Sequence, residues 1–243
     1  MVTYEIEDVK YRWRFIMNYE VIIFDADETL FNFKKSEKYA LKNTMIEFGI
    51  DYDENYHLKV YKDIYTLIWK EFENGLIIQR DLNIERFKRL LSKLNIKFDE
   101  VKFAKSYVKH LSCASFLYDD SMALIESLHK DYRLIIITNG LKDVQDNRIR
   151  KSVIGKYFED VVISDEIEVS KPDPKIFQHA LKNINHTDKT KVLMVGDSLT
   201  SDIQGGIRFG IDTCWFNSNK IINKSAIKPT YEITNLMELK NIV

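Results

Sequence analysis

Five short apolar runs, at residues 21–24, 134–137, 161–163, 192–195 and 213–216, alternate with amphipathic stretches of helical length. Strands buried on both faces read this way, and the stretches between them are long enough to serve as the crossovers that parallel neighbours need. The pattern predicts an α/β core built on a parallel sheet. It also predicts where chemistry collects, because functional groups in such sheets gather beyond the carboxyl ends of the strands.

Between the first and second runs the chain changes character. Residues 33–111 contain only Gly49 and Gly75, whereas six of the eight glycines and all three prolines lie beyond residue 138. Ala40, Leu41, Thr44, Met45 and Phe48 recur at helical spacing after Ser36, the expected N-cap, and Gly49 is placed to close that helix. Tyr56, Val60, Ile64, Leu67 and Ile68 mark a second helix, with two more at Phe87, Leu90, Leu91, Leu94 and at Phe103, Tyr107, Val108, Leu111. The expected organisation is a Rossmann-like core over residues 17–32 and 113–243. A helical cap over 33–112 is inserted after its first strand, and residues 1–16 form an N-terminal appendage.

Composition narrows the function classes. With 36 Lys+Arg against 37 Asp+Glu, the chain lacks the basic excess of a protein that binds nucleic acid polymers. No apolar run approaches the roughly 18 residues of a membrane span, and residues 4–14 alternate charges with aromatics, unlike a signal peptide. Cys113 and Cys214 have no Cys-x-x-Cys or Cys/His spacing and read as reduced thiols. The expectation is a cytoplasmic protein with no membrane contact, a monomer or weak dimer, whose partner is a small molecule.

The strand ends carry polar groups directly after buried residues. The first run ends in Asp25-Ala26-Asp27-Glu28-Thr29, the second in Thr138-Asn139-Gly140, and a Lys171-Pro172-Asp173-Pro174 turn follows the third. The fourth ends in Gly196-Asp197-Ser198-Leu199-Thr200-Ser201-Asp202. Asp25 and Asp27 point the same way only if the backbone stays extended, and sharing one site is costly without a cation or a proton. Asp197 adds a third carboxylate. Three carboxylates beside one lysine suggest a hard, oxygen-seeking cation such as Mg²⁺, which bridges to phosphate. Thr138 and Asn139 offer a hydroxyl, an amide and backbone N–H groups to an anionic oxygen, and Lys171 is a compact positive charge for the same anion.

The series Asp25-x-Asp27-x-Thr29, Thr138-Asn139, Lys171 and Gly196-Asp197-x4-Asp202 resembles the four motifs of the haloacid dehalogenase superfamily, across residues 21–216. The resemblance implies that Asp25 is a nucleophile forming an aspartyl-phosphate. Asp27 is then the general acid and, in the second step, the base that activates water. Thr138 and Asn139 would hold the transferring phosphoryl, and Lys171 would neutralise its charge and orient Asp25. Asp25, Asp197 and the backbone carbonyl of Asp27 would bind Mg²⁺, with Asp202 behind them orienting Lys171 or a metal-bound water.

Within the superfamily, Asp27 argues against halide displacement, since the dehalogenases lack a second aspartate. Phosphonatases use a lysine from the insert, and Lys34, Lys35, Lys38 and Lys42 lie in that neighbourhood, although a lysine-rich helix face is ordinarily solvated. Phosphomutases share Asp27. The position after Asp27 is usually Gly but here is Glu28. Phe24 to Phe31, Thr138 to Leu141, the stretch 195–206 and Gly210-Ile211-Asp212-Thr213-Cys214-Trp215-Phe216-Asn217 together resemble the bacterial pyrimidine 5'-nucleotidases. That resemblance implies a pyrimidine nucleoside monophosphate as substrate. Phe31 and Phe33 are then candidates for stacking on its base. The alternatives are a sugar-phosphate phosphatase or phosphomutase, and a catalytically idle binding protein.

Overall fold

The structure, a computed structural model, describes residues 19–73 and 76–243. The expected appendage at residues 1–16 lies outside the described residues, as does Gly75. The strands are β1 (Val21–Phe24), β2 (Arg133–Thr138), β3 (Asp160–Ile163), β4 (Val192–Gly196), β5 (Asp212–Phe216) and β6 (Tyr231–Ile233). They pair in parallel in the order β3-β2-β1-β4-β5-β6. Phe24 of β1 is level with Ile136 of β2 and with Val195 of β4. This register carries the ends of β2 and β4 to either side of Asp25.

Alternate residues of each strand face opposite ways, and both faces are covered. Ile22, Phe24, Leu134, Ile136, Leu193 and Val195 pack with Leu124, Ile125 and Leu128 of α5 (Ser121–Leu128). Val21, Ile23, Ile135, Ile137, Val192 and Met194 pack with Ile176, Phe177, Ala180 and Leu181 of α8 (Pro174–Asn183). Each such side chain contributes about 1.5–3 kcal/mol by leaving water. Asp173 starts α8 by accepting the Lys175 N–H at 2.9 Å, with Pro174 in the first turn, so the Lys171-Pro172-Asp173-Pro174 turn is a helix start as well as a site element.

Four helices follow β1: α1 (Phe33–Glu47), α2 (Glu54–Glu73), α3 (Gln79–Lys93) and α4 (Glu100–Ser112). Leu41, Met45, Tyr61, Phe87, Leu90, Phe103, Tyr107 and Leu111 form their own buried cluster. Ser36 is not the N-cap of α1. Asn32 accepts the Lys35 N–H at 2.9 Å and starts the helix a turn earlier, while Ser36 is buried inside it and donates its hydroxyl to the Ala114 carbonyl at 2.7 Å. Gly49 lies just past the end of α1 with φ of +70°, as a closing glycine requires. The edge strand β6 is an element that the apolar runs do not announce.

After β2 the chain forms α6 (Lys142–Gln145), which runs directly into a widened π-type turn at Asp146–Arg150. Next come the short α7 (Ser164–Ile167) and, after β4, a second such turn at Leu199–Ile203 leading into α9 (Gln204–Phe209). Turns of this kind recur at functional sites because the extra residue re-aims the side chains beside it. Among the described residues no helix is long and apolar enough to cross a membrane.

Candidate active site

Asp25 continues β1 by one residue, its N–H bonded to the Val195 carbonyl at 2.9 Å. The residue is only 7% exposed, and its carboxylate accepts from Lys171 Nζ at 2.5 Å. The ammonium also donates to the Ile137 carbonyl at 2.7 Å and pairs with Asp202 Oδ1 at 2.9 Å, so each of its three protons has an acceptor. Burial weakens the hold of Lys171 on its proton, but the Asp202 and Asp25 charges outweigh it and keep the amine protonated. Asn139 fixes the lysine's backbone from both sides, donating to the Lys171 carbonyl and accepting its N–H, each at 2.9 Å. The Asn139 amide is thereby committed to Lys171. Its backbone N–H and the Thr138 hydroxyl remain the groups suited to an anion at the end of β2.

Asp202 is held on its other side by the Ser198 N–H at 3.0 Å. A Cβ at Gly196 would lie 2.3 Å from Asp202 Oδ2, so the glycine ending β4 is what lets Asp202 reach Lys171. Asp197 is anchored through its backbone, whose carbonyl accepts from Trp215 Nε1 at 2.8 Å. Oxygens of Asp25, Asp197 and Asp202 all lie within 4.8 Å of one another. Burial, opposed by Lys171 and reinforced by Asp202, raises the Asp25 carboxyl well above the usual carboxylate range. Burial and then the Asp202 charge push Asp197 up to about 7. Three negative charges around one ammonium leave room for a divalent cation, and an all-oxygen donor set fits Mg²⁺.

Asp27 departs from the expectation of a carboxylate sharing this cluster. The backbone does not stay extended past Ala26: the Leu30 and Phe31 N–H groups fold back onto the Ala26 carbonyl at 2.9 and 2.8 Å. The Asp27 carboxylate instead meets Arg148, with Oδ1 2.8 Å from Nη2, and Gln145, with Oδ2 2.8 Å from Nε2. Of Asp27, only the backbone carbonyl is then eligible as a metal ligand. Glu28 has φ of +62°, which explains why a glycine suits this position. Its carboxylate offsets the cost by accepting from the Lys34 N–H at 2.9 Å, Lys34 Nζ at 2.6 Å and the Tyr118 hydroxyl at 3.1 Å.

The helices close over a cleft of about 610 Å³, lined by Asp27, Asn139 and Lys171 on one side and by Phe33, Asn83 and Arg86 on the other. That volume suits a small organic ligand. Phe33 reaches the cleft, but Phe31 does not qualify as a stacking residue. Its ring is fully buried in the core and lies 5.9 Å from the guanidinium carbon of Arg148. Arg86 is buried among Tyr61, Tyr65, Phe87 and Tyr107 and donates to Asn83 Oδ1 at 3.0 Å, which turns the Asn83 amide nitrogen away from it. Sequence reasoning missed Arg148, Gln145, Arg86 and Asn83. The first two follow Thr138-Asn139-Gly140 at an i, i+3 spacing, which is the available signal.

A family model described as haloacid dehalogenase-like hydrolase matches residues 19–210. The chain is 34% identical to pyrimidine 5'-nucleotidase PynA of Streptococcus pneumoniae, over 92% of this chain and 94% of that one. It is 30% identical to pyrimidine 5'-nucleotidase YjjG of Escherichia coli, over 93% and 99%. A crystal structure of the HAD-hydrolase YfnB of Bacillus subtilis, bound to magnesium, superposes with a TM-score of 0.87 at 32% identity, covering 93% of this chain and 98% of that one. A 2-haloacid dehalogenase of Pseudomonas syringae shares the fold at 21% identity and a TM-score of 0.66, covering 92% and 97%.

Proposed function

The chain belongs to the haloacid dehalogenase-like hydrolases and is a phosphatase of that family, and on that premise we propose that it is a Mg²⁺-dependent pyrimidine 5'-nucleotidase working through a phosphorylated Asp25. The observation that carries the mechanism is the 2.5 Å Lys171–Asp25 pair at the strand end, with Asp197 and Asp202 beside it and a second carboxylate, Asp27, lining the cleft above.

An Asp25 oxygen attacks the phosphorus of a nucleoside monophosphate, and the bond from phosphorus to the 5'-oxygen breaks. Asp27 gives its proton to that oxygen, so the nucleoside leaves as an alcohol. Lys171, the Thr138 hydroxyl and the Asn139 backbone N–H stabilise the charge on the transferring phosphoryl oxygens. In the second step Asp27 takes a proton from water, the water oxygen bonds to phosphorus, and the bond to Asp25 breaks to release inorganic phosphate. Asp25, Asp197 and the Asp27 carbonyl would hold Mg²⁺, which when bound supplies positive charge against the repulsion between the Asp25 carboxylate and the phosphate dianion. Residues 33–112 act as a cap that keeps bulk water from the intermediate and selects the leaving group.

The acidic cluster gives the metal a pH signature. Asp197, raised to about 7, carries its proton below that value when no cation is bound. The stability its protonation gives the metal-free protein is complete below the ordinary aspartate range and lost as pH rises through about 7. Mg²⁺ must displace the proton, so affinity should climb with pH through about 7. A Mg²⁺ titration followed by Trp215 fluorescence should give a Kd at about pH 5.5 at least about tenfold weaker than at about pH 8. A Kd that is constant across this range contradicts the assignment.

Specificity tests the nucleotide reading. A cleft closed by aromatic helices favours the smaller ring, so kcat/KM for dUMP or dTMP should exceed that for dAMP and dGMP at least about tenfold, equivalent to ~1.4 kcal/mol of differential transition-state binding. Faster turnover of a sugar phosphate than of every pyrimidine nucleotide tested would overturn the substrate and leave the Asp25 chemistry standing.

A further inference from the structure

Arg148 has a fully buried side chain, whereas its ion-pair partner Asp27 is 21% exposed. A guanidinium has five N–H groups, and here each has an acceptor in reach. Nε donates to the Ala114 carbonyl at 3.1 Å. Nη1 donates to Gln145 Oε1 at 2.8 Å and to Asp27 Oδ2 at 3.2 Å. Nη2 donates to Asp27 Oδ1 at 2.8 Å and lies 3.5 Å from Ser36 Oγ. The rings of Phe31 and Phe33 lie 5.9 and 5.1 Å from the guanidinium carbon. Its backbone is tied as well, its carbonyl accepting from Ser115 Oγ at 2.6 Å. Arg148 is therefore held on every side except the one Asp27 occupies.

Gln145 completes the holder. Its Oε1 accepts from Arg148, which turns its Nε2 toward Asp27 Oδ2 at 2.8 Å and Thr138 Oγ1 at 2.9 Å. A Cβ at Gly140 would come within 2.8 Å of that nitrogen, so the glycine after Thr138-Asn139 makes room for it. Asp27 Oδ2 accepts from both Gln145 and Arg148, whereas Oδ1 accepts from Arg148 Nη2 and keeps a lone pair for a leaving oxygen or a water.

We propose that Arg148 is the positioning residue for the acid, setting, with Gln145, the direction in which the Asp27 carboxylate faces the leaving oxygen. The proposal rests on the phosphatase reading above. A purely architectural arginine would be satisfied by carbonyls. This one spends a bidentate fork on a carboxylate that reaches the cleft, and its fixed geometry makes a lysine a poor replacement.

The test compares the wild type with Asp27→Asn, Arg148→Met, Arg148→Lys and the Asp27→Asn/Arg148→Met double variant, each on dUMP and on p-nitrophenyl phosphate with Mg²⁺. The aryl leaving group needs little protonation, so its first chemical step, followed as a burst of p-nitrophenolate, reports on everything except the acid. Arg148→Met should lower kcat on dUMP at least about thirtyfold and the aryl burst rate less than about threefold. In the Asp27→Asn background it should add less than about twofold, because the group it positions is already gone. Arg148→Lys keeps a buried positive charge should the methionine variant not fold, and it should show the same leaving-group bias with a smaller loss. Equal losses on both substrates, multiplying losses in the double variant, or a lysine variant matching wild type overturns the proposal. An Asp27→Asn variant as active as wild type overturns it together with the acid assignment. A wild type that hydrolyses the aryl ester but not dUMP overturns the nucleotide reading alone, and β-glycerol phosphate then serves as the alkyl ester.

Discussion

Asp25→Asn should abolish phosphate release, lowering kcat by about 10⁴-fold or more, the scale on which loss of a covalent nucleophile acts. The substitution is nearly isosteric. The asparagine carbonyl can still accept from Lys171 Nζ, which also keeps its bonds to Ile137 and Asp202. The amide removes a charge that burial makes costly, but also one of the two counter-charges of the buried Lys171, which keeps Asp202. The folded protein should therefore stay close to the wild type in urea stability while being inactive. Substantial residual turnover, with deamidation back to aspartate excluded by mass, would remove Asp25 from the role.

The second large effect belongs to Asp27. Asp27→Asn should cost about 10²–10⁴-fold in kcat on dUMP, the usual worth of a positioned general acid. The first step with an aryl phosphate should suffer much less, since its leaving oxygen departs without help. Lys171 keeps the Asp202 carboxylate after the change at Asp25, whereas this one removes the carboxylate paired with the buried Arg148, which retains Gln145 Oε1 and the Ala114 carbonyl as acceptors. A loss of about 1–3 kcal/mol in unfolding free energy should accompany the kinetic defect. Equal kinetic losses on both substrates would mean that Asp27 serves structure or metal alone.

The two aspartates also show how far residue patterns reach. Asp25, Thr138, Asn139 and Asp197 were legible because each ends or follows a short apolar run, and a parallel sheet carries such positions to one edge; Lys171, beyond α7, was legible through the motif order. The pairing of Asp202 with Lys171 was legible only through the motif spacing, since the widened turn at Leu199–Ile203 has no periodic signature. Arg148 and Gln145 were missed, their i, i+3 spacing being too common a signal to single them out. Charged and amide side chains on a short helical stretch look the same whether they face solvent or a buried carboxylate, and only the fold decides. Phe31 failed for the converse reason: an aromatic next to a catalytic motif suits ligand stacking and core packing equally, and here the guanidinium of Arg148 and the core surround the ring. Ser36 was displaced as a cap by Asn32, four residues earlier, whose amide carbonyl does the same chemistry. The strand β6, three residues long at the sheet edge, is too short for alternation to register.

A rapid acid quench during turnover of dUMP with Mg²⁺, followed by peptide mass analysis, addresses the covalent step itself. One phosphoryl group is expected on the peptide containing Asp25, cleaved from it by hydroxylamine, formed within the first turnover and absent from Asp25→Asn. Turnover at full rate with that peptide unmodified at every quench time, or with the phosphoryl group on a different residue, would contradict it.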